Sequence, residues 1–209
     1  IQLQDCVEDK LKEAVENVAE RGGSIEPENF VLYEGEKREY LCYTNQYYKT
    51  CINQRPLLKQ HIEKEILEEI KPTVRECVEN IKKNLREKGY SVSGTGGDIS
   101  VKIVPDNINV LISGISFVKE EGESYEEFEL NLKSKLYDLI MLTSSILNWE
   151  ARYGDSETMN YMLYYPSLKV EKKKQSDGTT IYILTDRLSL DKFMFASRSV
   201  AIPAGLTGQ

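Results

Sequence analysis

The sequence predicts an α+β fold in which helices pack on small antiparallel sheets and two disulfides staple the chain. Three observations predict it. Several stretches repeat apolar residues at helical spacing. Others are β-branched or end in turn residues. Four cysteines, Cys6, Cys42, Cys51 and Cys77, are placed so that two bridges can form.

The elements follow in order. Over residues 3–20 the apolar positions Leu3, Val7, Leu11, Ala14, Val15 and Val18 mark one helix face, and Arg21-Gly22-Gly23 ends it. Extended stretches at 24–33 and 37–43 flank a Glu34-Gly35-Glu36 turn and predict a hairpin. Pro56 opens a second helix carrying Leu58, Ile62, Ile66 and Ile70. Pro72 is expected to kink or restart it, and Gly89 to end it. Residues 90–93, 99–104 and 108–112 read as a meander, turning at 94–97 and 105–107. Residues 115–119 extend its last strand beyond a bulge at Gly114. Ser124 with Glu127 has capping-box spacing and predicts a helix to about Tyr153, ~45 Å long. Strands at 168–174, 180–184 and 193–198 close the fold, with a turn at Asp177-Gly178. The order reads as a loose duplication: an N-terminal half, 1–90, with both disulfides, and a C-terminal half, 91–209. The two halves are also compatible with one continuous domain.

Composition removes several function classes. The net charge is −7, and the one basic run, Lys172-Lys173-Lys174, is flanked by Glu171 and Asp177. A nucleic-acid binder concentrates Lys and Arg on one face, so no nucleic-acid partner is expected. The apolar runs are short, and none approaches the ~20 residues that span a bilayer. The chain begins at Ile1 and not Met, which leads us to expect an upstream segment: a signal peptide, a membrane anchor or a fragment boundary.

The cysteines fit no zinc or redox spacing, and His61 is the single histidine. The preferred pairing is Cys42–Cys51, closing the polar loop YTNQYYKT, and Cys6–Cys77, joining two helices. The chain-entropy relation gives roughly 3 kcal/mol for the short loop and about 4 kcal/mol for the long one. The competing expectation is four free thiols in a cytosolic protein.

A search for chemistry finds no motif. His61 lies on a charged helix and reads as a surface or capping residue. The glycines at 94–97 lack the Lys-Ser/Thr of a phosphate loop. The acidic run Glu120, Glu121, Glu123, Glu126 and Glu127 supplies oxygens for calcium, but reads first as a helix N-terminus. No catalytic residue, cofactor or metal site is assigned. The tyrosines group instead, as Tyr40, Tyr43, Tyr47 and Tyr48 and as Tyr161, Tyr164 and Tyr165. Tyrosine suits contact surfaces because it joins apolar area to a hydroxyl.

The helix ending in Gly22-Gly23-Ser24-Ile25, the helix with Cys77, NVLISGISFVKEEGESYEEF at 109–128, and Phe193-Met194-Phe195-Ala196-Ser197-Arg198 together resemble uncharacterised secreted or membrane-anchored surface proteins of archaea. The resemblance implies a surface location and an upstream membrane segment, and it implies no activity.

The expected function is therefore a non-enzymatic extracellular surface subunit, structural or adhesive, whose partners are copies of itself in a filament or layer. Its apolar chain ends, Ile1 and Leu3, and Val200, Ile202 and Leu206, are the expected assembly residues. The alternatives are a membrane-tethered binding module, monomeric when released, and a carboxylate-based hydrolase.

Overall fold

A computed structural model describes residues 2–118 and 124–200. It contains helices packed with two sheets, and both expected disulfides, Cys6–Cys77 and Cys42–Cys51, are formed.

Helix α1, Gln2–Glu20, buries Leu3, Val7, Leu11, Ala14 and Val18 on one face. Its last turn closes where the Gly23 N–H bonds the Val18 carbonyl at 2.8 Å. Gly22 is needed there twice over. Its φ is +89°, and a Cβ would come within 2.9 Å of Glu39 Cβ. Strands β1, Phe30–Tyr33, and β2, Glu36–Tyr43, form the expected hairpin through Glu34 and Gly35, both at positive φ. A short β3, Ile52–Asn53, follows the disulfide loop.

Helix α2, Leu58–Glu87, runs ~45 Å and passes Pro72 as one element. Ile62, Ile66, Ile70, Val74 and Val78 recur every fourth residue and are all buried. The Tyr90 and Gly89 N–H groups then bond the carbonyls of Leu85 and Arg86.

Strands β4, Ser91–Val104, β5, Asn107–Val118, and β6, Ser124–Lys133, form a three-stranded antiparallel meander. Two expectations are corrected here. Residues 94–97 are not a turn: β4 runs through them, and its register on β5 slips between Gly94 and Asp98. Glycine absorbs the extra residues as a bulge, facing the expected irregularity around Gly114. Residues 124–133 are strand and not helix, so no helix starts at Ser124. Phe128, Leu130 and Leu132 alternate with exposed Glu127, Glu129 and Asn131. Residues four apart share a face in a helix and in a strand alike, so the Phe128–Leu132–Leu136 spacing suits both.

Helix α3 begins only at Leu136 and ends at Tyr153, ~27 Å long. Its first N–H groups go to Asp191 Oδ2 and, at 3.1 Å, Ser134 Oγ. A short α4, Met159–Tyr164, was not foreseen. Strands β7, Leu168–Lys174, β8, Thr179–Asp186, and β9, Lys192–Arg198, complete the chain.

The larger sheet has the order β1-β2-β9-β8-β7, with β3 beside β2. Strand β9 lies parallel to β2, pairing Tyr40 with Ala196 and Tyr43 with Arg198. The first and last strands of the chain thus share one sheet, and 1–90 does not keep a sheet of its own. Phe193, Phe195, Tyr182 and Leu184 face a single core with α1, α2 and α3. The far face of the sheet carries a second apolar group of Tyr40, Ile181 and Ala196.

Candidate functional site

The polar groups that chemistry would need are gathered at three places, and each place is structural in its bonding. The first is His61, which is half-buried. Its Nε2 is 2.8 Å from Ser24 Oγ, and Ser24 Oγ donates to Glu39 Oε2 at 2.6 Å. A hydroxyl has one proton to give, so His61 Nε2–H donates to Ser24. A serine nucleophile needs the reverse polarity, with the imidazole accepting its proton. Ser24 is also only 3 % exposed, and Arg55 clamps Glu39 through Nε at 2.9 Å and Nη2 at 2.7 Å. Burial, with Arg55 nearby, holds the imidazole below its ordinary pKa. The four side chains tie α1's exit, β2 and α2 together. The expected surface or capping role of His61 gives way to a half-buried one, because nothing local marks its partner Ser24, 37 residues away.

The second place is Glu150 on α3, 2 % exposed beneath the large sheet. The Tyr182 hydroxyl donates to its Oε1, and Ser197 Oγ donates to Oε2 at 3.0 Å. Burial raises its pKa, opposed by those two hydrogen bonds. Burial and the adjacent carboxylate push the Tyr182 hydroxyl up as well. Ser197 Oγ also lies 3.6 Å from Cys51 Sγ, so the cluster abuts the small disulfide. At its rim Lys172 Nζ reaches Asp155 and, at 2.7 Å, the Ser156 carbonyl. The third place is Glu63 on α2. It accepts the Ile103 N–H at 2.9 Å and Lys59 Nζ at 2.6 Å, fixing β4 against the helix.

A groove of about 400 Å³ opens between the end of α1 and the β8–β9 loop, lined by Val15, Glu16, Glu20, Leu190 and Asp191. Asp191 is already engaged at the start of α3. Ser134 also lines the groove, and its Oγ donates to Asp191 Oδ2 at 3.0 Å, so this hydroxyl–carboxylate pair is committed to the start of α3. Among the described residues, no three histidine, cysteine or acidic side chains converge as a cation site requires. Of the acidic run, Glu127 is exposed on β6, and Glu120, Glu121, Glu123 and the Glu126 side chain lie outside the described residues.

Two of the expected assembly residues fall among the described residues, and both are buried. Leu3 is in the core at 6 % exposure, and Val200 is 9 % exposed. The Val200 N–H bonds the Lys49 carbonyl at 3.2 Å, and its own carbonyl accepts the Tyr48 N–H at 2.7 Å. The molecule's own disulfide loop therefore straps that residue down. Ile1, Ile202 and Leu206 lie outside the described residues.

What stands outward is apolar area that the sequence does not mark as exposed. Leu32 on β1, Ile52 on β3, and Tyr47, Tyr48 and Leu57 in the segments flanking β3 are exposed. Trp149, Tyr153, Met159, Leu163, Tyr164 and Tyr165 are exposed around α3's end and α4. Trp149 and Tyr153 stack, with ring centroids 5.0 Å apart.

Both disulfides fit an oxidising, extracytoplasmic environment. Among the described residues, no helix is long and apolar enough to cross a membrane. Comparison with models of protein families, with curated proteins and with solved structures found no match.

Proposed function

We propose that this chain is a non-enzymatic extracellular subunit of a cell surface, structural or adhesive, that works through contact and self-assembly. One observation carries the reading: its large apolar side chains stand outward in groups, with Tyr164 at 82 % exposure. Contiguous apolar patches above a few hundred Å² are uncommon on a monomer and mark contact sites. The bonding at His61 and Glu150 supports the same reading, because each group that resembles catalytic machinery is buried and committed to joining elements. The disulfides suit a subunit that works outside the cell. Of the chain-end residues, Leu3 and Val200 are buried in their own fold.

Sedimentation and electron microscopy of the purified protein, from micromolar to millimolar concentration, test the proposal. Concentration-dependent higher-order species are expected. A monomer at all concentrations that still binds cell envelopes moves the function to a tethered binding module. A monomer that binds nothing and hydrolyses a glycoside or ester overturns the proposal.

A further inference from the structure

The two disulfides differ in how far solvent reaches them. Cys42 is 0 % and Cys51 2 % exposed, both within the core. The end of β9 and the residues after it are bonded across their loop as well. The Thr44 N–H donates to the Arg198 carbonyl at 3.0 Å, the Tyr48 N–H to the Val200 carbonyl at 2.7 Å, and the Cys51 N–H to Ser199 Oγ at 3.0 Å. Arg198 Nη1 returns a bond to the Thr44 carbonyl at 3.0 Å. A thiol reaches this bridge only after the loop has opened. The bridge Cys6–Cys77 is placed otherwise. Cys77 is 2 % exposed on α2, but Cys6 is exposed on the second turn of α1. The far end of α1 is held by bonds of its own. There the Glu39 N–H donates to the Arg21 carbonyl and Arg38 Nη1 to the Glu20 carbonyl, both at 2.9 Å. Midway along the helix, Lys10 Nζ meets Glu69 of α2 at 2.7 Å. Nearer its start, the disulfide adds a covalent tie to the burial of Leu3 and Val7.

We infer that Cys6–Cys77 is a redox-sensitive tie. An external dithiol opens it while Cys42–Cys51 stays closed, and opening frees the first two turns of α1 from α2. The chemistry is thiol–disulfide exchange, which needs access to a sulfur, so exposed bridges are the labile ones. A thiolate of the dithiol attacks Cys6 Sγ and forms a mixed disulfide. The S–S bond to Cys77 breaks, and its electron pair leaves on Cys77 Sγ, which takes up a proton. The second thiol of the reagent then attacks its own sulfur in the mixed disulfide and releases Cys6 as a thiol. The reagent ends as a disulfide, and two electrons and two protons have passed to the protein. Oxidation by the reverse route closes the tie again. The rest of the fold does not need the bridge to stay in place. The Arg21 and Glu20 carbonyls keep the far end of α1 on β2, Lys10 keeps its middle on α2, and the second disulfide remains inside its strapped loop. The freed turns become an ordinary chain end, which frays without a tie, and Leu3 and Val7 come within reach of solvent. None of this depends on whether copies of the chain assemble.

The test is a timed reduction of the oxidised full-length protein with dithiothreitol, quenched by alkylation and mapped by peptide mass. Cys6 and Cys77 should be alkylated roughly 10-fold faster than Cys42 and Cys51, or more, because the second pair waits for its loop to open. Amide hydrogen exchange on the half-reduced protein gives the structural readout. Exchange at residues 6–9 should quicken about 10-fold or more, while the amides of Ile66 and Phe195 keep their protection. Cys6→Ser combined with Cys77→Ser makes a permanently open form. It should show the same fast exchange at residues 6–9 and a wild-type circular dichroism spectrum. Alkylation of all four cysteines at one rate overturns the inference, as does earlier opening of Cys42–Cys51. Unchanged exchange at residues 6–9 after reduction overturns it too. So does loss of protection at Ile66 and Phe195, or an unfolded serine double variant, since the bridge would then hold the whole fold and not one helix end.

Discussion

The six-stranded and three-stranded sheets differ in how far along the chain their strands are drawn. Strands β4, β5 and β6 follow one another directly along the chain and pair in that order. The larger sheet pairs β2 with β9, two strands separated by most of the chain. Its bonding matches that position: Glu150 and Ser197 bridge α3 to β9, and the Cys42–Cys51 bridge sits against them. The smaller sheet lies along α2 through Glu63, while its far end, Ser91–Gly94, is mostly exposed. The comparison teaches that a sheet closed by distant segments must be secured by side chains, whereas a sheet of sequential strands is largely specified by its turns.

The largest expected effect lies in the distant sheet. Phe195 is fully buried and stacks on Tyr182, with centroids 5.0 Å apart. Phe195→Ala should cost about 3–5 kcal/mol in urea unfolding. Val92→Ala, on the exposed arm of the smaller sheet, should cost under about 1 kcal/mol. Equal losses would break the distinction between the sheets.

The disulfides come next. Cys6–Cys77 spans 71 residues and Cys42–Cys51 spans 9. Replacing the first pair by alanine should cost about 4 kcal/mol and the second about 3 kcal/mol. If the short bridge proves the more costly, its contact with the Glu150 cluster outweighs loop entropy.

Glycine tests the distant sheet on a smaller scale. Gly22 and Gly35 share positive φ, but only Gly22 meets a neighbour, Glu39 on β2. Gly35→Ala should cost about 1 kcal/mol from backbone strain alone. Gly22→Ala should cost distinctly more, because β2 must also move. Equal melting-temperature shifts would show that α1 and β2 are not held closely.

The smallest effect concerns pH. Burial raises the folded-state pKa of Glu150 above its ordinary 4.5, so the folded chain holds that proton more tightly than the unfolded chain. The resulting stability is fully present below the unfolded value. It is lost as pH rises through the folded value, and above that it is level. Each tenfold difference in proton affinity is worth about 1.4 kcal/mol. Glu150→Gln should flatten this slope, so that the variant gains on wild type between acid and neutral pH. An unchanged slope in paired denaturation series would remove Glu150 as its source.

The sequence by itself determined what depends on neighbours along the chain. The apolar stripes of α1 and α2, the Gly22 and Gly89 ends, the Glu34-Gly35 and Asp177-Gly178 turns and both cysteine pairs were legible, because each is written within a few turns of helix or at a fixed offset. Only tertiary structure decided the rest. Residues 124–133 became strand because β5 offered a partner, and a four-residue repeat could not choose between the two periods. His61 met Ser24, and Glu150 met Tyr182 and Ser197, across separations that carry no local mark. Val200 turned inward because the disulfide loop offered it backbone partners. Leu32 and Tyr164 stayed outward because no segment of the described chain covers them, and apolar character alone does not say whether a residue is core or contact surface.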